Sequence, residues 1–236
     1  MSVYTDLITS ETSCLSLWPF SDLTGSVATD LKGSKNGAYQ AAPTLGVLPG
    51  AIVGDGSTCI QTLAASLQYV SVAAPNQPAA VSYEIWVRNM NGGSGWTDLG
   101  GVGQWNTNGA LLYFESGSGV QGFVNAGALT NPPNAALLVG WHHYGFGYDG
   151  TTGDLVIDGQ IVQSGPLTGP ITYAGNFEIL QYGAPSGTYG TVQAAMAAHY
   201  NARLTAAQWL AHYSAGVSGA PGSTIVKRLR NPLNIH

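Results

Sequence analysis

Glycine interrupts this chain so often that long helices have almost nowhere to form. The 236 residues include 33 glycines and 12 prolines spread along the sequence, which marks many tight turns between short segments. Between those turns the side chains alternate with the period of a strand. In residues 81–88 (VSYEIWVR), Val81, Tyr83, Ile85 and Val87 fall on one face, and Ser82, Glu84, Trp86 and Arg88 on the other. Residues 15–20 (LSLWPF), 67–72 (LQYVSV), 177–183 (FEILQYG) and 192–204 (VQAAMAAHYNARL) read as further strands. Residues 110–125 (ALLYFESGSGVQGFVN) read as a hairpin turning at 116–119. Asn36-Gly37 is a turn signal before a short strand, and Gly54-Asp55-Gly56 separates two apolar pieces.

One segment reads as helix. Residues 205–214 space Ala207, Leu210 and Ala211 on one face, with Thr205 as N-cap and Gly216 as the C-terminal stop. Many short strands with one terminal helix predict an all-β fold, an antiparallel two-sheet jelly-roll sandwich. Residues 1–215 form its domain, and residues 216–236 a linker (VSGAPGST) with a basic-apolar tail. In that tail Lys227, Arg228, Leu229 and Arg230 are the expected attachment residues.

The stretch 140–162 (GWHHYGFGYDGTTGDLVIDGQIV) has the residue types of a metal or catalytic site, but strand geometry argues otherwise. Side chains alternate, so His142 and His143 point to opposite faces and cannot share an ion. His142 lies on the face of Tyr144, Phe146 and Tyr148, and is expected to matter more for stability than His143. Asp149-Gly150 closes the strand, and Asp158-Gly159 is the two-residue signal of a type I′ hairpin.

W-H-H, Y-D-G and L-V-I-D-G-Q in this stretch resemble the laminin-G-like, concanavalin A-like jelly-roll superfamily. LSLWPF, KGSKNGAY, IVGDGSTCIQ, VSYEIWVR and MAAHYNARLTAAQWLAHY resemble other segments of that family, in its order, over roughly residues 13–215. The resemblance implies a lectin-glucanase sandwich. The family's acidic closing strand is replaced here by Gln193-Ala194-Ala195-Met196, which removes a carboxylate that some relatives place near calcium. Asp98, Asp149 and Asp154 with Asn106 or Asn108 remain as oxygen donors, without the dense acidic spacing that calcium favours. No cofactor is therefore expected.

Catalytic signals are sparse. A glycosidase needs two carboxylates about 5–10 Å apart, whereas Glu84, Glu115 and Glu178 each stand alone in the sequence, and the E-x-D-x-x-E arrangement is absent. There is no G-x-S-x-G elbow and no phosphate-cradling lysine motif. The expectation is a non-enzyme. Trp86, Trp96, Trp105, Trp141 and Tyr113 offer aromatic surface, with Trp18 and Trp141 assigned to core. The expected ligand site is Trp96, Trp105, Asn106, Asn108 and Tyr113, an aromatic platform with amide anchors.

Charge narrows the partners. Only 8% of residues are charged, against about 25% in soluble domains. Three of the seven basic residues sit at 227–230, leaving four to face twelve acids elsewhere. A nucleic-acid partner is excluded by this lack of a basic footprint. No apolar run approaches the roughly 18 residues of a membrane span, and no signal peptide is visible. Cys14 and Cys59 are expected as buried free thiols rather than one bridge. A free-standing, charge-poor sandwich fits an accessory protein of a bacteriophage virion, in a head or tail, oligomeric in the assembly and touching other virion proteins, copies of itself or surface glycans. A carbohydrate-binding lectin-like module is the second expectation, and a divergent polysaccharide hydrolase or lyase the third.

Overall fold

A computed structural model describes residues 2–73, 78–88, 96–102, 109–115, 119–132, 139–172, 175–182 and 188–218; at positions 96–98, 115, 182 and 188 it describes the backbone alone. Strands are numbered along the chain. One eight-stranded sheet holds β1 (Cys14–Trp18), β4 (Thr44–Val47), β5 (Cys59–Thr62), β7 (Val81–Arg88), β12 (Trp141–Tyr148), β13 (Thr152–Ile157), β14 (Gln160–Pro166) and β18 (Val192–Tyr200). Its order is β14-β13-β12-β7-β18-β5-β4, with β1 also paired to β18. The second holds β2 (Val27–Ala28), β3 (Gly37–Gln40), β6 (Tyr69–Val72), β8 (Trp96–Val102), β9 (Ala110–Glu115), β10 (Gly119–Val124), β11 (Gly127–Asn131) and β15 (Phe177–Ile179), in the order β11-β10-β9-β8-β15-β6-β3-β2. A short pair, β16 (Gln181–Tyr182) and β17 (Thr188–Tyr189), stands apart. Every recorded pairing is antiparallel, and the fold is the all-β sandwich that the alternation predicts.

The alternation also sets the core. Val81, Tyr83, Ile85 and Val87 from β7 and Tyr144, Phe146 and Tyr148 from β12 meet Val70, Val72, Leu112, Phe114, Phe177 and Ile179 of the opposing sheet. The other face of β7 and β12 is buried too, beneath two helices, α1 (Val3–Ser10) and α2 (Ala206–Ser218). Trp86, Val156, Trp209, Tyr4 and Ile8 form this second core, which also encloses both free thiols, Cys14 and Cys59.

Helix α1 was not expected from the sequence. Its signals are short ones: Ser2 Oγ caps Thr5 N at 3.2 Å, Asp6 sits in the first turn, and Tyr4 and Ile8 bury one helical turn apart. Three threonines, a valine and an isoleucine in thirteen residues mask that period. For α2, Thr205 and Gln208 make a reciprocal capping box, with Thr205 N on Gln208 Oε1 at 3.0 Å and Gln208 N on Thr205 Oγ1 at 3.3 Å. The expected stop at Gly216 is corrected: the helix continues to Ser218. Gly216 is there for closeness, since a Cβ would lie 2.3 Å from Trp86 Cζ2. Gly145 likewise would place a Cβ 2.8 Å from Trp209 Cζ3, so the glycines of WHHYGFGY are the seat of α2. Asn36-Gly37 is likewise not a turn. Gly37 opens β3, where a Cβ would meet Val70 Cγ1 at 2.8 Å.

Candidate functional site

Polar chemistry gathers at several places in the described structure, and three of them bear on function. The first is sealed. Glu84, in the middle of β7, points toward the helices. Its Oε2 accepts from His143 Nε2 at 2.8 Å and His212 Nδ1 at 3.0 Å. Its Oε1 accepts from Tyr4 Oη at 3.2 Å and from Tyr200 Oη. His212 Nε2 meets Glu11 Oε1 at 2.9 Å. With a carboxylate at each ring nitrogen, both must donate, so His212 is an imidazolium. Burial opposes the charges of this group. It is outweighed at Glu84 by the charge of His212 and the hydrogen bonds of both histidines, which hold the carboxyl well below its usual range. Burial would also lower His212, but the charge of Glu84 and the bonds to Glu11 and Glu84 carry it up to about 9.

A glutamate among two histidines and two tyrosines has the composition of a catalytic centre. Here Glu84 already accepts four hydrogen bonds, and Glu84, His143 and His212 side chains are fully buried. A saturated carboxylate with no route to solvent has nothing left to offer a substrate. The cluster is a buried knot that ties α1 and α2 to the sheet. The expected ranking of the two histidines is thereby reversed. His143 is enclosed, whereas the His142 side chain, near the start of β12, is 18% exposed and binds Asp158 Oδ2 at 2.8 Å. Asp158 and Gly159 both have positive φ (50° and 72°), as the type I′ turn requires. Asp158 also caps His143 N at 3.0 Å.

The second place is a cleft of about 470 Å³ lined by Asp149, Asp154, Ile161, Asn201, Arg203 and Thr205, among others. Arg203 grips Asp154 with two bonds (2.7 and 2.9 Å) and Asp149 with a third at 2.7 Å. Asp149 also accepts from Thr151 N and Thr152 N. Burial opposes the Asp149 charge, but these bonds hold its carboxyl well below the usual range. Asp149 and Asp154, two of the oxygen donors weighed against calcium, are thus engaged by a guanidinium and a turn.

The third place is the outer face of the second sheet. Cross-strand register lines up Ala38, Ser71, Glu178, Gly101, Leu111 and Phe123 on that face. Asn176 Nδ2 donates to Ser71 Oγ at 2.9 Å, and Ser71 Oγ donates to Glu178 Oε1 at 3.0 Å. This relay stands beside a shallow groove of about 430 Å³, lined by Val27, Asn36, Ala38, Gln40, Ser71 and Asn176 among others. Next to Gln40 in register is Tyr69, half-exposed, its ring 5.9 Å from that of Tyr189. The groove itself offers amides and a hydroxyl, and the Tyr69 ring stands at the next position along β6 on the same face.

The residues expected to bind ligand converge here only in part. Tyr113 is on this sheet but buried. It stacks on Phe123 at 4.9 Å and donates to Gln121 at 3.0 Å, so it is no open platform. Trp96 begins β8, but its side chain, and residues 105, 106 and 108, lie outside the described residues, as does the tail with Lys227, Arg228, Leu229 and Arg230. Trp86 is core rather than surface. Trp18 is core as expected, and Trp141 is half-buried beneath the Arg88 guanidinium, 5.2 Å from its ring. Sequence reasoning missed Gln40, Ser71 and Asn176, because cross-strand neighbours carry no spacing signal. The one available clue was parity: Ser71 and Glu178 each interrupt an apolar strand between two core residues.

No family model and no curated protein matches the chain. Solved structures share its fold. A mutant sialidase of Trypanosoma rangeli with trans-sialidase activity superposes with a TM-score of 0.64 at 13% identity, over 89% of this chain and 37% of that one. Domain 4 of an extracellular arabinanase from Geobacillus stearothermophilus, solved with arabinotriose, gives 0.63 at 12% identity, over 85% of this chain and 98% of the domain. This chain therefore spans about a third of the sialidase and nearly all of the arabinanase domain. What the chain shares with both is the two-sheet β-sandwich fold.

Proposed function

We propose that the protein is a non-catalytic carbohydrate-binding module that holds a glycan on the outer face of its second sheet. The observation that carries this is the Asn176–Ser71–Glu178 relay beside an open groove flanked by the Tyr69–Tyr189 pair. Sugars are held by such combinations of aromatic surface and a few oriented polar groups. The sandwich shared with an arabinanase domain solved with arabinotriose supports the same class of ligand. The laminin-G-like resemblance belongs to this proposal as well.

The test is a glycan array followed by calorimetry on the best sugars. Ser71→Ala and Asn176→Ala each remove hydrogen bonds worth about 1–1.5 kcal/mol, so each should weaken binding about tenfold. Unchanged affinity in both variants would move the site elsewhere, and reducing ends released from a bound polysaccharide would make the protein an enzyme.

A role as a virion accessory protein is the second reading, and the low charge of the sequence (8%) favours it. Detection of the protein in purified particles tests it. Within this reading the expected 216–236 segment carries attachment, and deleting 219–236, its part beyond α2, should abolish incorporation without changing the melting temperature.

A further inference from the structure

We propose that Glu178 sets the class of sugar this groove accepts: ionised, it admits neutral sugars and rejects carboxylated ones, and taking up a proton opens the groove to both. The inference rests on the glycan reading and concerns its regulation. Ser71 has one hydroxyl hydrogen, and Glu178 Oε1 holds it at 3.0 Å. One Ser71 lone pair is occupied by Asn176 Nδ2 at 2.9 Å. In this state the Ser71 hydroxyl presents its remaining lone pair, with a negative charge one hydrogen bond behind it. A sugar carboxylate at Ser71 then meets like charge behind a hydroxyl whose hydrogen points away from it. Neutral sugars avoid that conflict, because each hydroxyl can donate as well as accept.

Protonation reverses the relay. The proton comes from solvent and stays on Glu178, whose neutral carboxyl becomes a donor to Ser71 Oγ. The Ser71 hydrogen is thereby released to point into the groove. The surroundings favour this change. Glu178 Oε2 is buried without a hydrogen-bond partner among the described residues, so that oxygen gains no hydrogen bond when the group is charged. Tyr69 faces the carboxyl from β6, with Tyr189 of β17 beyond it. On β8 the neighbour in register is Gly101. No basic group contributes to its titration. Burial pushes the carboxyl up to about 7, against the lowering effect of its bonds to Ser71 and Asn176.

The experiment measures the full chain against arabinotriose and against a sialylated trisaccharide, at about pH 5.5 and about pH 8.5, either side of that value. The sialylated sugar should bind at least about tenfold more weakly at the higher pH, the effect of gaining one nearby like charge, while arabinotriose should change little. Glu178→Gln cannot ionise, so its profile for the sialylated sugar should be flat. Strong binding of that sugar by the wild type at the higher pH, or the same pH loss in Glu178→Gln, would overturn the inference and leave the glycan reading standing. Binding of neither sugar at either pH, together with an empty glycan array, would remove both.

Discussion

Glu84 accepts four hydrogen bonds where no water reaches, and that makes it the most consequential side chain of the described structure. Removing one partner of a buried charged group leaves the rest uncompensated, at a cost of about 3–5 kcal/mol. An exposed pair is worth about 0–1 kcal/mol. His143→Ala should therefore lower the urea midpoint far more than His142→Ala, whose Asp158 partner is itself 30% exposed. Equal losses would mean that the knot is not structural. The strand pattern placed the two histidines on opposite faces, as found. It could not rank them, because alternation does not say that helices cover the second face. Asp149, Asp158 and Gly159 were legible because turn chemistry is local. Glu84 was not, since its partners come from positions 4, 143, 200 and 212.

At the scale of elements, α1 and α2 are held by charge and by closeness. His212 has its pKa raised from 6.5 to about 9, so its contribution is fully present below about pH 6.5 and is lost as pH rises through 9. Glu84, held below its usual 4.5, contributes above that value and loses its effect as pH falls. Buried His199 runs the other way from His212: burial lowers it to about 4, so it removes stability as pH falls below 6.5. Thermal melts should show the wild type losing stability between pH 6.5 and 9.5. His212→Gln should lack most of that alkaline limb, and a limb of unchanged size in the variant would assign it to other groups. Closeness is tested by sign. Gly→Ala inside an exposed helix stabilises by about 1 kcal/mol, but Gly216→Ala drives a methyl into Trp86 and should destabilise by about 1–3 kcal/mol. A stabilised Gly216→Ala would mean that α2 does not seat on Trp86. Strand positions and the start of α2 were readable from period and capping. The end of α2 was not, because a glycine chosen for contact looks the same as one chosen for a stop.

For the molecule as a whole, the two sheets divide the work. The first is covered on both faces at its central strands and carries the knot, while the second leaves polar groups of β3, β6 and the residue before β15 at an open groove. The sandwich was legible because period two recurs in nearly every segment. The groove was not, because Gln40, Ser71 and Asn176 become neighbours only through register. The most direct test of the account is an amide chemical-shift titration of the protein with the tightest sugar from the array. The account predicts shifts concentrated at Gln40, Tyr69, Ser71, Asn176 and Glu178. Shifts confined to the Arg203 cleft, or to no site at all, would contradict it.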